Sequence, residues 1–325
     1  MNTSLFKPSR RIVATLGVAV CLTPSAFAAL VITPTFTAGF NTAFGANAVA
    51  AQNSWIAAAN QFSTLYSDNI HININVDGVA GTSVFGQSQF GLNSISYANL
   101  HTRLVADSTT PNDVAGLAVG GSIPLVDPRS DAHTYYLSRA QAKALGYIGD
   151  DLLNDGTTTF GAGNPFTFSG PITAGTYDFQ GIALHEISEV MGRLGLSGGS
   201  VGANLNTYSL IDLFAFTGPG ARGMSAGPGE FHSTDNGVTL LKLWNNALLN
   251  SLDTRDWAPS SQGGTGAPDA VNQFSNSGVV NGFTPVDRQL MDSLGYDLIA
   301  VPEPTTGALL AGGLALGFCL RRFKR

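Results

Sequence analysis

Apolar residues return at three- and four-residue steps over residues 45–66, where Val49, Trp55, Ile56, Ala59, Phe62 and Leu65 form one stripe, and this spacing predicts a helix. His71-Ile-Asn-Ile-Asn-Val-Asp77 then alternates strictly, the pattern of a strand with one buried face. A second helix is predicted from Tyr97 to Asp107, ended before Pro111. Tyr135 to Tyr147 reads as a strand end running into a short helix over Ser138–Leu145, with Gly146 as its stop. The strongest helical pattern is Asp178 to Met191, with Phe179, Ile182, Ala183, Ile187, Val190 and Leu194 on one face. Ser197 to Asn206 is expected to be a polar, glycine-rich loop, and Tyr208 to Phe216 an apolar strand holding a single acid, Asp212. Turns are expected over Gly218–Gly229 and Gly263–Pro268. Thr284-Pro285 opens a final helix that ends at Gly295. No fixed period recurs, which argues against a solenoid.

The two ends carry a different composition. Residues 1–28 place a basic stretch, Lys7 to Arg11, before the apolar run Ile12 to Leu22 and the small-x-small sequence Ala26-Phe27-Ala28, the layout of a secretory signal peptide. At the other end Val301-Pro-Glu-Pro304 precedes an apolar segment, Gly307 to Leu320, and the basic tail Arg321 to Arg325. Its 14 residues span about 21 Å as a helix, short of the roughly 30 Å hydrocarbon core unless flanking cations snorkel. This end resembles the PEP-CTERM sorting signal of Gram-negative bacteria, whose three parts occur here in order. The resemblance implies transient inner-membrane anchoring through a short transmembrane helix, processing by an exosortase, and delivery to the cell envelope or extracellular matrix.

Between the ends, residues 29–300 hold nine basic and 21 acidic side chains, a net charge of −12, which disfavours nucleic acid as a partner. Both cysteines, Cys21 and Cys319, lie in the end segments, so the body has neither a disulfide framework nor a thiolate metal site. A hydrophobic fraction of 44% with only 12% charged residues supports a large core in a single body over 29–300.

Residues 185–189 read His-Glu-Ile-Ser-Glu. His185 and Glu189 are four apart, so on a helix they stand one turn above each other, about 6 Å along the axis, with Glu186 beside them. This is the spacing of the zinc-peptidase motif H-E-x-x-H with glutamate in place of the second histidine. A solvated helix face is the plain structural alternative. Against it, glutamate is scarce (only Glu186, Glu189 and Glu230 lie between the end segments), and here an otherwise apolar helix has gathered three polar groups.

The segment Phe179 to Arg193 resembles a group of PEP-CTERM-bearing bacterial proteins regarded as metallopeptidases, whose active helix reads like Ala-Leu-His-Glu-Ile-x-Glu-Val-Met-Gly-Arg. The likeness extends loosely over residues 140–298, taking in Asp212-Leu-Phe, Asp256-Trp-Ala and Asp287 to Tyr296. More distantly the helix is similar to that of the metzincins, with Gly192 on the family's helix-breaking glycine. The chain departs from that pattern at Glu189 and at Gly195, which stands where the third ligand would be. No methionine turn is visible between Asp256 and Thr284. In leishmanolysin-like relatives a distant histidine before a tryptophan completes the site, which points here to Asp256 before Trp257, with Asp212 and His232 as alternatives. The resemblance implies an α+β, zincin-like fold: a mixed sheet, an active-site helix and an irregular C-terminal lobe.

The expected chemistry is that of one divalent metal ion held by His185, Glu189 and Asp256, with Glu186 as general base. Two carboxylates formally neutralise such an ion, so the site should acidify water less than a three-histidine site. They also suit manganese or calcium, although zinc is preferred. His232, Tyr208 and Arg193 are candidate oxyanion donors. The chain is thus read as a secreted metal-dependent endopeptidase whose substrate is an envelope or matrix protein or peptide. The alternative is a non-catalytic matrix or adhesion protein. A glycan hydrolase is disfavoured, because its carboxylates would flank a sugar rather than stand one turn apart beside a histidine.

Overall fold

The computed structural model describes residues 30–299, so the signal peptide expected at 1–28 and the sorting segment at 301–325, with the helix expected over Gly307–Leu320, lie outside the described residues. Within them no helix is long and apolar enough to cross a membrane.

The alternating segment forms β2 (His71–Val79), with Ile72, Ile74 and Val76 buried and the intervening polar residues half-buried. β2 pairs in parallel with β1 (Val31–Phe36) and β6 (Asn154–Gly161), and β3 (Gly86–Phe90) closes the sheet as an antiparallel edge next to β6. Parallel neighbours need a crossover. Between β1 and β2 it is made by α1 (Ala38–Phe44) and α2 (Ala48–Leu65). α1 is too short for its periodicity to stand out; Thr37 starts it, accepting a hydrogen bond from the Phe40 amide. The stripe predicted on α2 is rotated. Val49 is 67% exposed and Ile56 37%, while Ala51, Trp55, Ala58, Ala59 and Phe62 are buried. The small side chains on that face let α2 pack closely on α6 (Phe179–Val190), which also lies against β3 and β6.

A second sheet joins β4 (Leu92–Ile95) and β5 (Thr134–Ser138) to the hairpin formed by Gly199–Val201 and Asn204–Ser209, where a loop was expected. The strand predicted over 208–216 is interrupted. It ends at Ser209, and Leu210–Phe214 form a 3-10 turn before a new strand, Ala215–Gly218. The cause is a reciprocal capping box between Ser209 and Asp212, which the apolar run around them conceals. α3 (Tyr97–Asp107) is as expected, but Pro111 does more than end it. Thr110, Pro111 and Asp113 cap a further helix, α4 (Pro111–Leu117). α5 (Arg139–Ala144) follows β5, and the final helix, Pro285–Ser293, opens with the Thr284–Asp287 capping box.

Without disulfides, the part of the described chain after α6 is held by buried polar and aromatic contacts. The Arg255 guanidinium, 1% exposed, bonds Asp212 Oδ1 at 2.9 Å and Glu230 Oε2 at 2.8 Å. Trp244 and Trp257 stack with centroids 4.3 Å apart, and His232 packs beside both, with Phe214 on another side. Neither His232 ring nitrogen has a well-formed hydrogen bond. Burial, reinforced by the Arg255 charge, pushes its pKa down to about 3. An unfolded histidine takes up a proton near pH 6.5, and the buried ring resists doing so until about pH 3. Below pH 6.5 the unfolded state therefore binds more protons, and this one ring should lower stability by up to roughly 1.4 kcal/mol per pH unit. Urea unfolding of His232→Phe should show a shallower fall between pH 6.5 and 4 than the parent; equal slopes would clear His232 of this effect.

Candidate metal centre

α6 is fixed at both ends. Asp178 caps it by accepting from the Gln180 amide (3.1 Å), and its other oxygen accepts from the Asn281 amide (3.0 Å), tying the helix start to the segment before the final helix. Gly181 permits that approach, because a Cβ there would lie 2.5 Å from the Asn281 carbonyl oxygen. Phe179 locks the first turn among Phe44, Phe160, Phe166 and Phe168, at centroid distances of 4.9–5.8 Å. At the far end Gly192 takes φ +112°, a value that favours glycine, and the chain folds Arg193 back beneath the helix.

His185, Glu189 and Asp256 each bring one ligand atom into a group lying within 4.8 Å of one another. His185 Nδ1 donates to the Ala270 carbonyl at 2.8 Å, which fixes the tautomer and leaves Nε2 free to face the carboxylates. Nε2 stands 3.4 Å from Glu189 Oε1 and 3.5 Å from Asp256 Oδ1. Ligands about 2.1 Å from a tetrahedral ion stand roughly 3.4 Å apart, so these two separations fit a small tetrahedral cation. Glu189 Oε2 accepts from the Ser88 hydroxyl at 2.6 Å, a contact that ties the helix to edge strand β3.

Arg193 changes the charge of the group. Its guanidinium, buried at 2% exposure, donates to Asp256 Oδ1 and, at 3.3 Å, to Glu189 Oε1. One imidazole, two carboxylates and one guanidinium sum to −1, so a divalent ion would keep a net positive charge instead of being neutralised. That offsets the weak acidification expected from the ligand types alone. Without an ion, burial opposes a charged His185, but Asp256 and Glu189 outweigh it and push its pKa up to about 10. A proton then occupies the place suited to a cation.

The two glutamates of α6 are driven apart. Burial, then the Glu189 charge, pushes Glu186 well above the usual carboxylate range. Burial acts on Glu189 in the same sense, but His185, Arg193 and Ser88 override it and hold its carboxyl at about 2. Glu186 is 5% exposed, and its carboxylate has no hydrogen-bond partner among the described residues. It faces a cleft of about 690 Å³ bordered by β3 and the 252–256 and 270–275 segments. Gly86 on β3 leaves room for it: a Cβ there would stand 2.2 Å from Glu186 Oε1.

Gly195 has a physical explanation as well. A Cβ at that position would come within 2.0 Å of Thr254 Oγ1 and 2.3 Å of Arg255 Cγ. The glycine therefore seats the segment that delivers Asp256. Trp257 anchors the same segment through its stack on Trp244 and its indole bond to Asp287 Oδ1 (2.6 Å).

The remaining candidates lie elsewhere. Asp212 accepts from the Leu196, Ser197 and Ser209 amides and from Arg255, and is outside the ligand group. Its reading as a strand acid is corrected to a cap of the 3-10 turn. His232 is enclosed by aromatic rings and lines no part of the cleft, nor does Tyr208, so neither reaches it as an oxyanion donor. Arg193 does line the cleft but is engaged with Glu189 and Asp256. The sequence reading missed Ser88, the Ala270 carbonyl, the charge-balancing role of Arg193 and the cleft residue Asp253; of these, only Arg193 lay within the recognised segment.

No curated protein and no solved structure is significantly similar to the chain. Residues 300–325 match the PEP-CTERM protein-sorting motif, which marks this as an exported protein sorted by an exosortase.

Proposed function

We propose that the exported body is a zincin-like, metal-dependent endopeptidase acting on envelope or matrix proteins. The observation that carries this reading is the convergence of His185 Nε2, Glu189 and Asp256 beside an unpartnered Glu186 carboxylate in one cleft. The mixed sheet packed on α6, with antiparallel strand β3 at the border of the cleft, supports this reading. Among the described residues β3 has β6 as its only strand neighbour, so its outer edge can pair with an extended peptide and hold the scissile bond across the site.

His185, Glu189 and Asp256 would hold the ion. When bound, it supplies Lewis-acid polarisation of a carbonyl and acidifies water. The protein's part falls to Glu186, whose carboxylate takes a proton from the attacking water and returns it to the leaving amine. Burial raises its pKa, which favours the half of that transfer in which the proton is returned. Arg193 bonds both ligand carboxylates and Ser88 bonds that of Glu189, orienting them as supporting residues do around a metal.

Casein digestion by the purified protein tests the proposal. A strong chelator should abolish cleavage and added zinc restore it, with proton-induced unfolding avoided by working near pH 7.5. A non-catalytic adhesion protein would bind the same ion and leave casein intact.

A further inference from the structure

The charges along the cleft are unbalanced once its internal pairs are counted. Its two cations, Arg193 and Arg255, are 2% and 1% exposed, and both are engaged with buried carboxylates. Asp253 is different. It lines the cleft, is exposed, and its carboxylate has no hydrogen-bond or ion-pair partner among the described residues. Partial desolvation by the surrounding cleft, despite the exposure of the residue, and then the Asp256 and Glu189 charges push its carboxyl up to about 6, as expected for an acid short of a counter-charge. The same cleft is lined by two apolar side chains held partly in water, its chain neighbour Leu252 at 41% exposure and Phe274 at 55%.

An apolar surface next to a lone carboxylate matches a long cationic side chain, whose methylenes cover the former while its head group bonds the latter. We propose that Asp253 is a specificity-determining residue that selects peptides carrying lysine or arginine, with the aliphatic stem on Leu252 and Phe274. A second metal ion fits the position less well, because Asp253 does not join the group of ligand atoms formed by His185, Glu189 and Asp256. An acidic peptide is disfavoured by Asp253 itself and by the net charge of −12 over residues 29–300.

This inference rests on the peptidase reading, so its test separates binding from cleavage. Zinc-loaded Glu186→Gln protein is titrated with fluorescent peptides that differ at one position, Arg, Lys, Gln or Glu. Arg and Lys peptides should bind at least about tenfold more tightly than the Glu peptide, the scale of one charge-assisted contact. Asp253→Asn in the same background should collapse that preference, and Asp253→Lys should reverse it. In protein retaining Glu186 the preference should reappear in KM more than in kcat. Equal binding of all four peptides, or a preference that survives Asp253→Asn, overturns the assignment of Asp253 while leaving cleavage unaffected as a question. An Asp253-dependent preference in a protein that cleaves nothing upholds this inference and removes the peptidase reading instead.

Discussion

Glu186→Gln should lower kcat by about 10²- to 10⁴-fold, the usual contribution of a general base, while the protein stays folded and keeps its ion. The substitution preserves shape, which matters because Gly86 leaves space for this side chain and little more. Glu186 is not one of the three groups that converge as ligands, so its loss should not loosen the ion. It also lacks a hydrogen-bond partner among the described residues, so the amide breaks no native contact. Glutamine removes the ability to take a proton and adds no charge. Steady-state kinetics with parallel metal analysis checks both halves; undiminished cleavage would remove Glu186 from the mechanism.

Replacing Asp256 should instead remove the ion. Asp256 is 1% exposed and serves two cationic neighbours, His185 Nε2 at 3.5 Å and the buried Arg193 guanidinium. Alanine there leaves Arg193 without one of its carboxylates, and breaking a buried ion pair costs about 3–5 kcal/mol, so Asp256→Ala is expected to be unstable as well as metal-free. Asp256→Asn keeps an acceptor for Arg193 and separates the two effects. It should stay folded yet bind zinc at least about 100-fold more weakly, the upper range for lost support at a metal site. Asp212→Asn and His232→Phe should keep zinc affinity, although Asp212→Asn should lose stability through its contact with Arg255.

The parts of this molecule that were legible in the sequence are local ones. In α6 a helical period, a breaking glycine and a ligand-like spacing all fall within one short segment, so each supports the others. β2 was legible because strict alternation admits one reading. Leu210–Phe214 was misread because a buried apolar run has no period of its own, and the capping box was the deciding signal. Asp256 could be reached only through family resemblance, since nothing local links it to α6; the fold joins them across 63 residues at Arg193. Ser88 comes from β3, 101 residues upstream of Glu189, and the contact that orients His185 is a backbone carbonyl, which no residue type announces. The charge state of the centre was likewise beyond composition alone. Arg193 is adjacent to the motif, but its pairing with both ligand carboxylates depends on the turn at Gly192.

Calorimetric titration of zinc into chelator-stripped protein tests the central claim most directly. Wild type and Glu186→Gln should each take up about one equivalent tightly, and Asp256→Asn should show little or no heat at the same concentrations. A folded wild type that takes up no zinc, or an Asp256→Asn protein that binds it as tightly as the parent, would contradict the metal centre built from His185, Glu189 and Asp256.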